Sequence, residues 1–224
     1  MREATSDDLR SFVRRNTTLT FVPFVPEIRL YTATEVTPLW HKTSDWLAEA
    51  PFLTPPDAGE VPFWSAPWAG GQAIARHVLD HPELVRGKRV IDFGTGSGLV
   101  AIAAARAGAA SVVGVDVDRL AMTAAFLNAE ANDVTFDVRL EDIVGTPQLD
   151  ADLFLAGDIW YEREASARFE PWLRALAEGG LHVLTGDPGR AYVPSSYVEV
   201  ASYEVVTSPD LESSRIRRTR VLRP

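Results

Sequence analysis

The chain has 224 residues, 46% of them apolar and 24% charged, which suits one large globular domain or one domain with an extension. Its 31 acidic and 22 basic side chains leave a net charge of −9, which argues against a nucleic-acid backbone as the main partner. The absence of cysteine excludes disulfides and thiolate metal sites, and no run of about 18 apolar residues offers a membrane span.

Residues 5–16 read as a short helix, with Ser6 as its cap, Asp7 and Asp8 in the first turn and Arg14 and Arg15 in the last. This acidic beginning lacks the apolar stretch of a signal peptide, so the expected location is the cytoplasm. Residues 21–26, Phe-Val-Pro-Phe-Val-Pro, are extended and punctuated by proline. Residues 27–31 alternate polar and apolar like a short strand. A second helix is expected over 38–49, with Pro38 in its first turn and Trp40, Trp46 and Leu47 as apolar members. Residues 51–68 hold Pro51, Pro55, Pro56, Pro62 and Pro67 and read as loop. The aromatics there, Phe52, Phe63, Trp64 and Trp68, are either buried beneath the loop or the wall of a site. The second reading gains from their position just before Gly70-Gly71-Gln72 and a helix. His77 and His81 are spaced i, i+4, but Pro82 follows, so they mark a polar helix end rather than a metal site.

From Lys88 onward the pattern is regular. Strands expected at 89–93, 111–116, 134–139, 152–156 and 181–185 alternate with helices at 98–108, 118–131 and 163–178. That alternation means a parallel sheet with helices on both faces. The runs at 197–206 and 214–222 have no helix between them and read as an antiparallel hairpin at the sheet edge. The fold class is therefore α/β: a Rossmann-like, seven-stranded methyltransferase architecture with an antiparallel C-terminal hairpin. Residues 1–66 are expected as an N-terminal helical extension and aromatic, proline-rich loop packed on a core of 67–224. In open sheets of this kind ligands bind beyond the carboxyl ends of the strands.

The first of those ends carries Asp92-Phe-Gly-Thr-Gly-Ser-Gly98, directly after Val90-Ile91. Gly94, Gly96 and Gly98, with Thr95 among them, permit a tight turn and close backbone approach of a ligand. The amides at 97–100 open a helix and face an anionic group, while Asp92 offers a carboxylate to a cationic one. The amino-acid end of S-adenosylmethionine (SAM) carries both charges. A dinucleotide fingerprint would need glycine at 99, which is Leu99, and Asp92 would repel a pyrophosphate. A turn that binds nothing is the third reading. Asp116, at the second strand end, suits the hydroxyls of a ribose, which SAM and NAD share. Asp118 reads as a helix cap. After the third strand, Asp142 is either the acceptor for an adenine amino group or part of a solvated loop. The fourth strand runs into Gly157-Asp158-Ile-Trp-Tyr161, where a carboxylate and a phenol lie three residues apart. Capping of the 163–178 helix is the plainer role for Asp158, but Glu162 and Glu164 lie nearer that helix start.

Asp158-Ile-Trp-Tyr161 resembles the D-x-x-Y motif of seven-stranded protein lysine methyltransferases. Within that group the chain is most similar to the electron transfer flavoprotein β-subunit lysine methyltransferase family and its bacterial relatives. The resemblance spans about residues 23–190. It rests on residues 26–30, Trp68-Ala-Gly-Gly-Gln72, 86–90, the 92–98 loop, Gly157-Asp158 with Tyr161, and Gly186-Asp-Pro-Gly-Arg190. It implies SAM as cofactor, with S-adenosylhomocysteine as product. Trp68, the Asp92–Gly98 loop and Asp116 would hold the cofactor, with Gly157 beside it and Asp158 and Tyr161 on the acceptor side. It also implies a protein substrate, the electron transfer flavoprotein β subunit first and ribosomal stalk protein second, with a small nicotinamide-like acceptor as the alternative. No metal, nucleic-acid or membrane partner is expected, and a monomer is. Ala69 and the lack of a tryptophan after the third strand depart from the family pattern. A carboxylate favours a charged amine, so Asp158 is expected to capture and orient a lysine ammonium, with Tyr161 orienting the amine or closing the pocket wall.

Overall fold

The computed structural model describes residues 6–49, 61–207 and 214–224. Phe52 with Pro51, Pro55 and Pro56, and the side chain of Leu47, lie outside the described residues.

The chain opens with α1 (Ser6–Asn16), a hairpin of β1 (Thr18–Val22) and β2 (Val25–Thr32), and α2 (Val36–Glu49). The segment expected to be merely extended is thus the turn and inner flank of a two-stranded sheet. Its register runs from Thr18 opposite Thr32 to Phe21 opposite Arg29, then breaks so that Val22 meets Val25. Pro26, which has no N–H to give a ladder, falls within that break. Two asparagines tie the hairpin to the helix α5 (Arg119–Ala131) and its C-cap. Asn128 Oδ1 accepts from Tyr31 N (2.7 Å), while the Asn132 side chain accepts from Arg29 N (3.0 Å) and donates to Arg29 O (2.6 Å). Phe12, Val13, Leu39 and Trp64 close a small core against Leu120, Ala124 and Leu127.

A turn of 3-10 helix at Phe63–Ser65 precedes α3 (Ala69–Asp80). The main sheet then builds from β3 (Arg89–Phe93), β4 (Ser111–Asp116), β5 (Asp137–Leu140), β6 (Leu153–Asp158), β7 (His182–Asp187), β8 (Val198–Val206) and β9 (Ile216–Arg223). Its order is β5-β4-β3-β6-β7-β9-β8, parallel up to β7 and antiparallel for the last two strands. Helices α4 (Leu99–Arg106) and α6 (Arg163–Glu178) complete the crossovers. β6 is buried through Gly157, as expected for a parallel strand covered on both sides. Leu153 and Leu155 face the cluster shared with α3 and α4; Phe154 and Ala156 face Trp172, Leu173 and Leu176 of α6. β5 begins three residues later than expected, because Val134 N–H bonds Ala129 O and Asp133 sits at φ 56°, so this stretch is still the end of α5.

The strand order reverses at β3: β4 lies on one side of it and β6 on the other. The crevice beyond these carboxyl ends is where such sheets bind ligands.

Candidate active site

After β3 the backbone turns through Gly94, Gly96 and Gly98 at φ 62°, 50° and 79°, a conformation that strains other residues. A side chain begun on Gly94 would touch Ile159 and one on Gly96 the Trp64 backbone, each at 3.8 Å, but Gly94 is exposed and Gly96 half-buried, so bare backbone is presented to a ligand there. Gly98 answers a packing demand: a Cβ there would stand 3.1 Å from Ala125. Thr95 turns inward. Its Oγ1 donates to Asp92 Oδ2 (2.6 Å) and its N–H to Val115 O (3.0 Å). It fits because β4 offers only Gly114 beneath it.

Asp92 does not present its carboxylate to the crevice as the sequence suggested. It is 1% exposed, and its Oδ2 accepts from Thr95 and from Ala101 N (3.0 Å). Burial, helped by the nearby Asp116 charge, pushes its pKa up to about 7. Its task in this structure is to bind the glycine loop to the first turn of α4. The amides there are partly spent as well: Gly98 N–H bonds Thr95 O, and Ala101 N–H goes to Asp92.

Asp116 accepts from Val117 N and Asp118 N on Oδ1 and from Gly96 N on Oδ2 (2.9 Å). Three of about four acceptor positions are taken, which leaves one, on Oδ2, for a ribose hydroxyl. Asp118 caps α5 by accepting from Leu120 N, as expected. Asp142 is exposed and only partly engaged: Oδ1 accepts from Val144 N (3.0 Å) and Oδ2 from Arg168 (2.8 Å), which leaves about two acceptor positions. Partial burial works to raise its carboxyl, and these partners outweigh that and hold it low. Gly157 faces α3, where a Cβ would stand 3.1 Å from Gly71 Cα, so it admits the helix onto β6.

Asp158, the last residue of β6, is the second focus. Arg190 grips it with both prongs, Nε to Oδ1 (2.7 Å) and Nη2 to Oδ2 (2.8 Å), and Gly70 N–H, in the first turn of α3, also points at Oδ2 (3.3 Å). The carboxylate expected to capture a lysine ammonium is thus already paired with a guanidinium. Around it stand the aromatics. The Tyr161 ring lies 5.1 Å from that of Phe63, Phe63 lies 5.9 Å from Trp68, and the Arg190 guanidinium lies 5.9 Å over the Trp68 ring. Trp68 Nε1 is fixed on Phe63 O (2.8 Å). Trp64 is 1% exposed and belongs to the core rather than the wall. Ile159 reaches to Gly94, so the glycine loop and Asp158 are neighbours. Desolvation, then the charges of Asp116, Glu162 and Asp158, push the Tyr161 phenol up to about 12.

Several residues that shape this site carried no role in the sequence reading. Gln72 is buried, donating to Pro67 O and accepting from Phe24 N, so it fastens the tryptophan turn to the hairpin. Asn128 Nδ2 holds Ser97 O of the glycine loop (2.8 Å). Arg190 lay in a recognised segment, but its partner stands on a different strand.

The bare glycine loop beside an acidic strand end fits SAM, and the fold and site together define a SAM-dependent methyltransferase. The ribosomal protein L11 methyltransferase (PrmA) family profile matches residues 77–159. The electron transfer flavoprotein beta subunit lysine methyltransferase of Xenopus laevis is 39% identical over 188 residues, covering 83% of this chain and 72% of its own. The Homo sapiens protein of that name is 32% identical over 211 residues, covering 93% and 77%. Among solved structures, magnesium protoporphyrin IX methyltransferase from Synechocystis with bound SAM shares the fold at TM-score 0.50 and 20% identity, covering 69% of this chain and 79% of that one. The chain belongs to the electron transfer flavoprotein β-subunit lysine methyltransferase family.

Proposed function

We propose that this protein methylates lysine side chains of a protein acceptor, and that the acceptor is the electron transfer flavoprotein β subunit. The observation that carries the reading is the coupling of two half-sites. Ile159 links the glycine loop to Asp158, and Asp158 is linked through Arg190 to Trp68, whose ring adjoins Phe63 and, through it, Tyr161. The names of the relatives supply the acceptor.

Gly94, Gly96, Asp116 and Trp68 hold the cofactor in this reading, while Thr95, Gly98 and Asp92, expected to touch it, are turned inward and keep the loop in shape, and Gly157 admits α3. Bound SAM supplies a methyl group on a sulfonium, an electrophilic carbon. Phe63 and Tyr161, 40% and 48% exposed, would be covered by the docked acceptor chain, which would keep water from the reacting nitrogen and favour the uncharged amine. Asp158 orients that amine. Tyr161, its phenol raised by desolvation and neighbouring carboxylates, is neutral near pH 7 and lines the approach as a hydrogen-bonding phenol and not as a base.

The test is incubation with tritiated SAM and, separately, purified electron transfer flavoprotein β subunit, ribosomal protein L11 and nicotinamide. Label on lysines of the β subunit is the expected outcome, with Asp158→Ala abolishing it while SAM binding persists. Label on nicotinamide alone would replace the reading with a small-molecule one.

A further inference from the structure

The segment Gly186-Asp-Pro-Gly-Arg190 has a mechanical explanation up to its last residue. Gly186 lets β7 touch α3. Asp187, fully buried, accepts from Arg220 Nη2 (2.5 Å), Gly189 N (3.0 Å) and Arg190 N (2.8 Å), closing a turn that Gly189 completes at φ 91°. The turn delivers a guanidinium to Asp158, whose side chain is 5% exposed against 19% for Arg190. Stability alone is a weak reason for such a pair, since burying two charges costs much of what their attraction returns.

The reaction supplies a stronger one. A lysine amine has a pKa near 10.4, and its lone pair must be free. That nitrogen forms the new N–C bond as the methyl–sulfur bond breaks with its electron pair left on sulfur, and the surplus proton leaves to solvent. A bare carboxylate beside it would hold it as ammonium. We propose that Arg190 is a positioning residue for methyl transfer: by gripping both oxygens of Asp158 it neutralises the carboxylate, so that the acceptor amine meets a hydrogen-bond acceptor and not a net negative charge. Asp158 keeps its power to orient the amine, and the free base is not penalised. This rests on the reading that Asp158 faces the acceptor.

The experiment compares wild type, Arg190→Gln, Arg190→Lys and the double variant Asp158→Asn/Arg190→Gln as full chains. Label transfer from saturating tritiated SAM to purified flavoprotein β subunit is followed from pH 6.5 to 9.5, and S-adenosylhomocysteine affinity is measured by calorimetry. Arg190→Gln is expected to bind S-adenosylhomocysteine within about twofold of wild type. Its rising pH limb should move up by about one unit, so that its rate at pH 7 falls about tenfold, as one unit of amine pKa implies. Arg190→Lys should restore the position of the limb. The double variant, with neither charge, should also rise at the wild-type pH though at a lower rate, and it serves if Arg190→Gln does not fold. A limb unmoved in Arg190→Gln, or a double variant displaced upward, overturns the proposal. Loss of S-adenosylhomocysteine binding with an unmoved limb would make Arg190 a cofactor-side residue and overturn it equally. If wild type labels no lysine of the β subunit, the acceptor assignment falls and this proposal with it. If wild type labels it and the limb is indifferent to Arg190, only the role of Arg190 falls.

Discussion

Gly70 in the first turn of α3 and Gly186 of β7 meet backbone to backbone. A Cβ on Gly186 would overlap the Gly70 carbonyl oxygen, and one on Gly70 would stand 2.6 Å from the Gly186 carbonyl oxygen and 2.9 Å from Asp158 Cα. The contact joins the Trp68–Gln72 and Gly186–Arg190 segments, and it sets the distance at which Gly70 N–H and Arg190 both reach Asp158.

Gly186→Ala should therefore be costly, because the obstructing atoms are backbone and have no rotamer to escape into. Overpacking of this kind costs about 3 kcal/mol, and roughly 6–12 °C of Tm in a chain of this size. The control is one residue along α3: Gly71→Ala meets nothing nearer than Leu99 Cδ2 at 3.9 Å and should hold Tm within about 3 °C. Thermal denaturation of the two variants side by side decides it. Equal Tm values would mean that the close approach is not rigid.

Tyr161 gives a prediction opposite in kind to that for Arg190. Local desolvation and three neighbouring carboxylates raise its phenol above the ordinary value of about 10 even though the side chain is 48% exposed, so it carries no charge between pH 6.5 and 9.5. Tyr161→Phe should lower the rate of methyl transfer by about tenfold, the order of one lost hydrogen bond to a charged or reacting group. The shape of the pH profile should stay the same. A limb that disappears in Tyr161→Phe would make the phenol a proton acceptor after all.

The strands and helices of the sheet were legible because each is a local pattern. β6 is an apolar run ending in Gly157-Asp158, and α6 spans the very residues its spacing marked, Arg163–Glu178. The glycine turn was equally legible. What local pattern cannot carry is who a polar group faces. Asp158 reads as a bare acid until Arg190, 32 residues away, folds onto it. Asp92 reads as a ligand contact until Thr95 and Ala101 close over it. The hairpin at the N-terminus was half seen, since Pro23 and Pro26 disguise a strand pair whose irregularity they occupy.

Asn128 shows the same limit on a helix, and its consequence can be measured. One side chain joins Tyr31 N of the hairpin to Ser97 O of the glycine loop, and it is fully buried. Asn128→Ala strands a donor and an acceptor at once, a loss of about 2–3 kcal/mol, or roughly 5–10 °C in Tm. Because one of those groups belongs to the cofactor loop, SAM affinity should weaken in the same variant. A lowered Tm with SAM affinity intact would confine Asn128 to the hairpin.

Asp92 makes the fold itself sensitive to pH. Its folded pKa of about 7 stands above the ordinary aspartate value near 3.9, so between those limits the folded chain keeps a proton that the unfolded chain has lost. Stability then falls as pH rises from about 4 to about 7 and levels off above, where both states are ionised. Asp118, also raised to about 7 by burial and by Asp116, adds to the same slope. Asp152, held down to about 2 by Arg89, acts in the other direction only in more acidic solution. His77 and His182, both lowered by burial, also oppose the slope, but only below the ordinary histidine value of about 6.5. The ligand-free protein should thus melt higher at pH 6.5 than at pH 8. In Asp92→Asn the amide oxygen can still accept from Thr95 and Ala101 without a buried charge, so the melting temperature at pH 8 should equal or exceed that of wild type and the slope from 6.5 to 8 should shrink. An unchanged slope in Asp92→Asn would show that Asp92 is already ionised in the fold across this range, and that Thr95 and Ala101 compensate its burial in full.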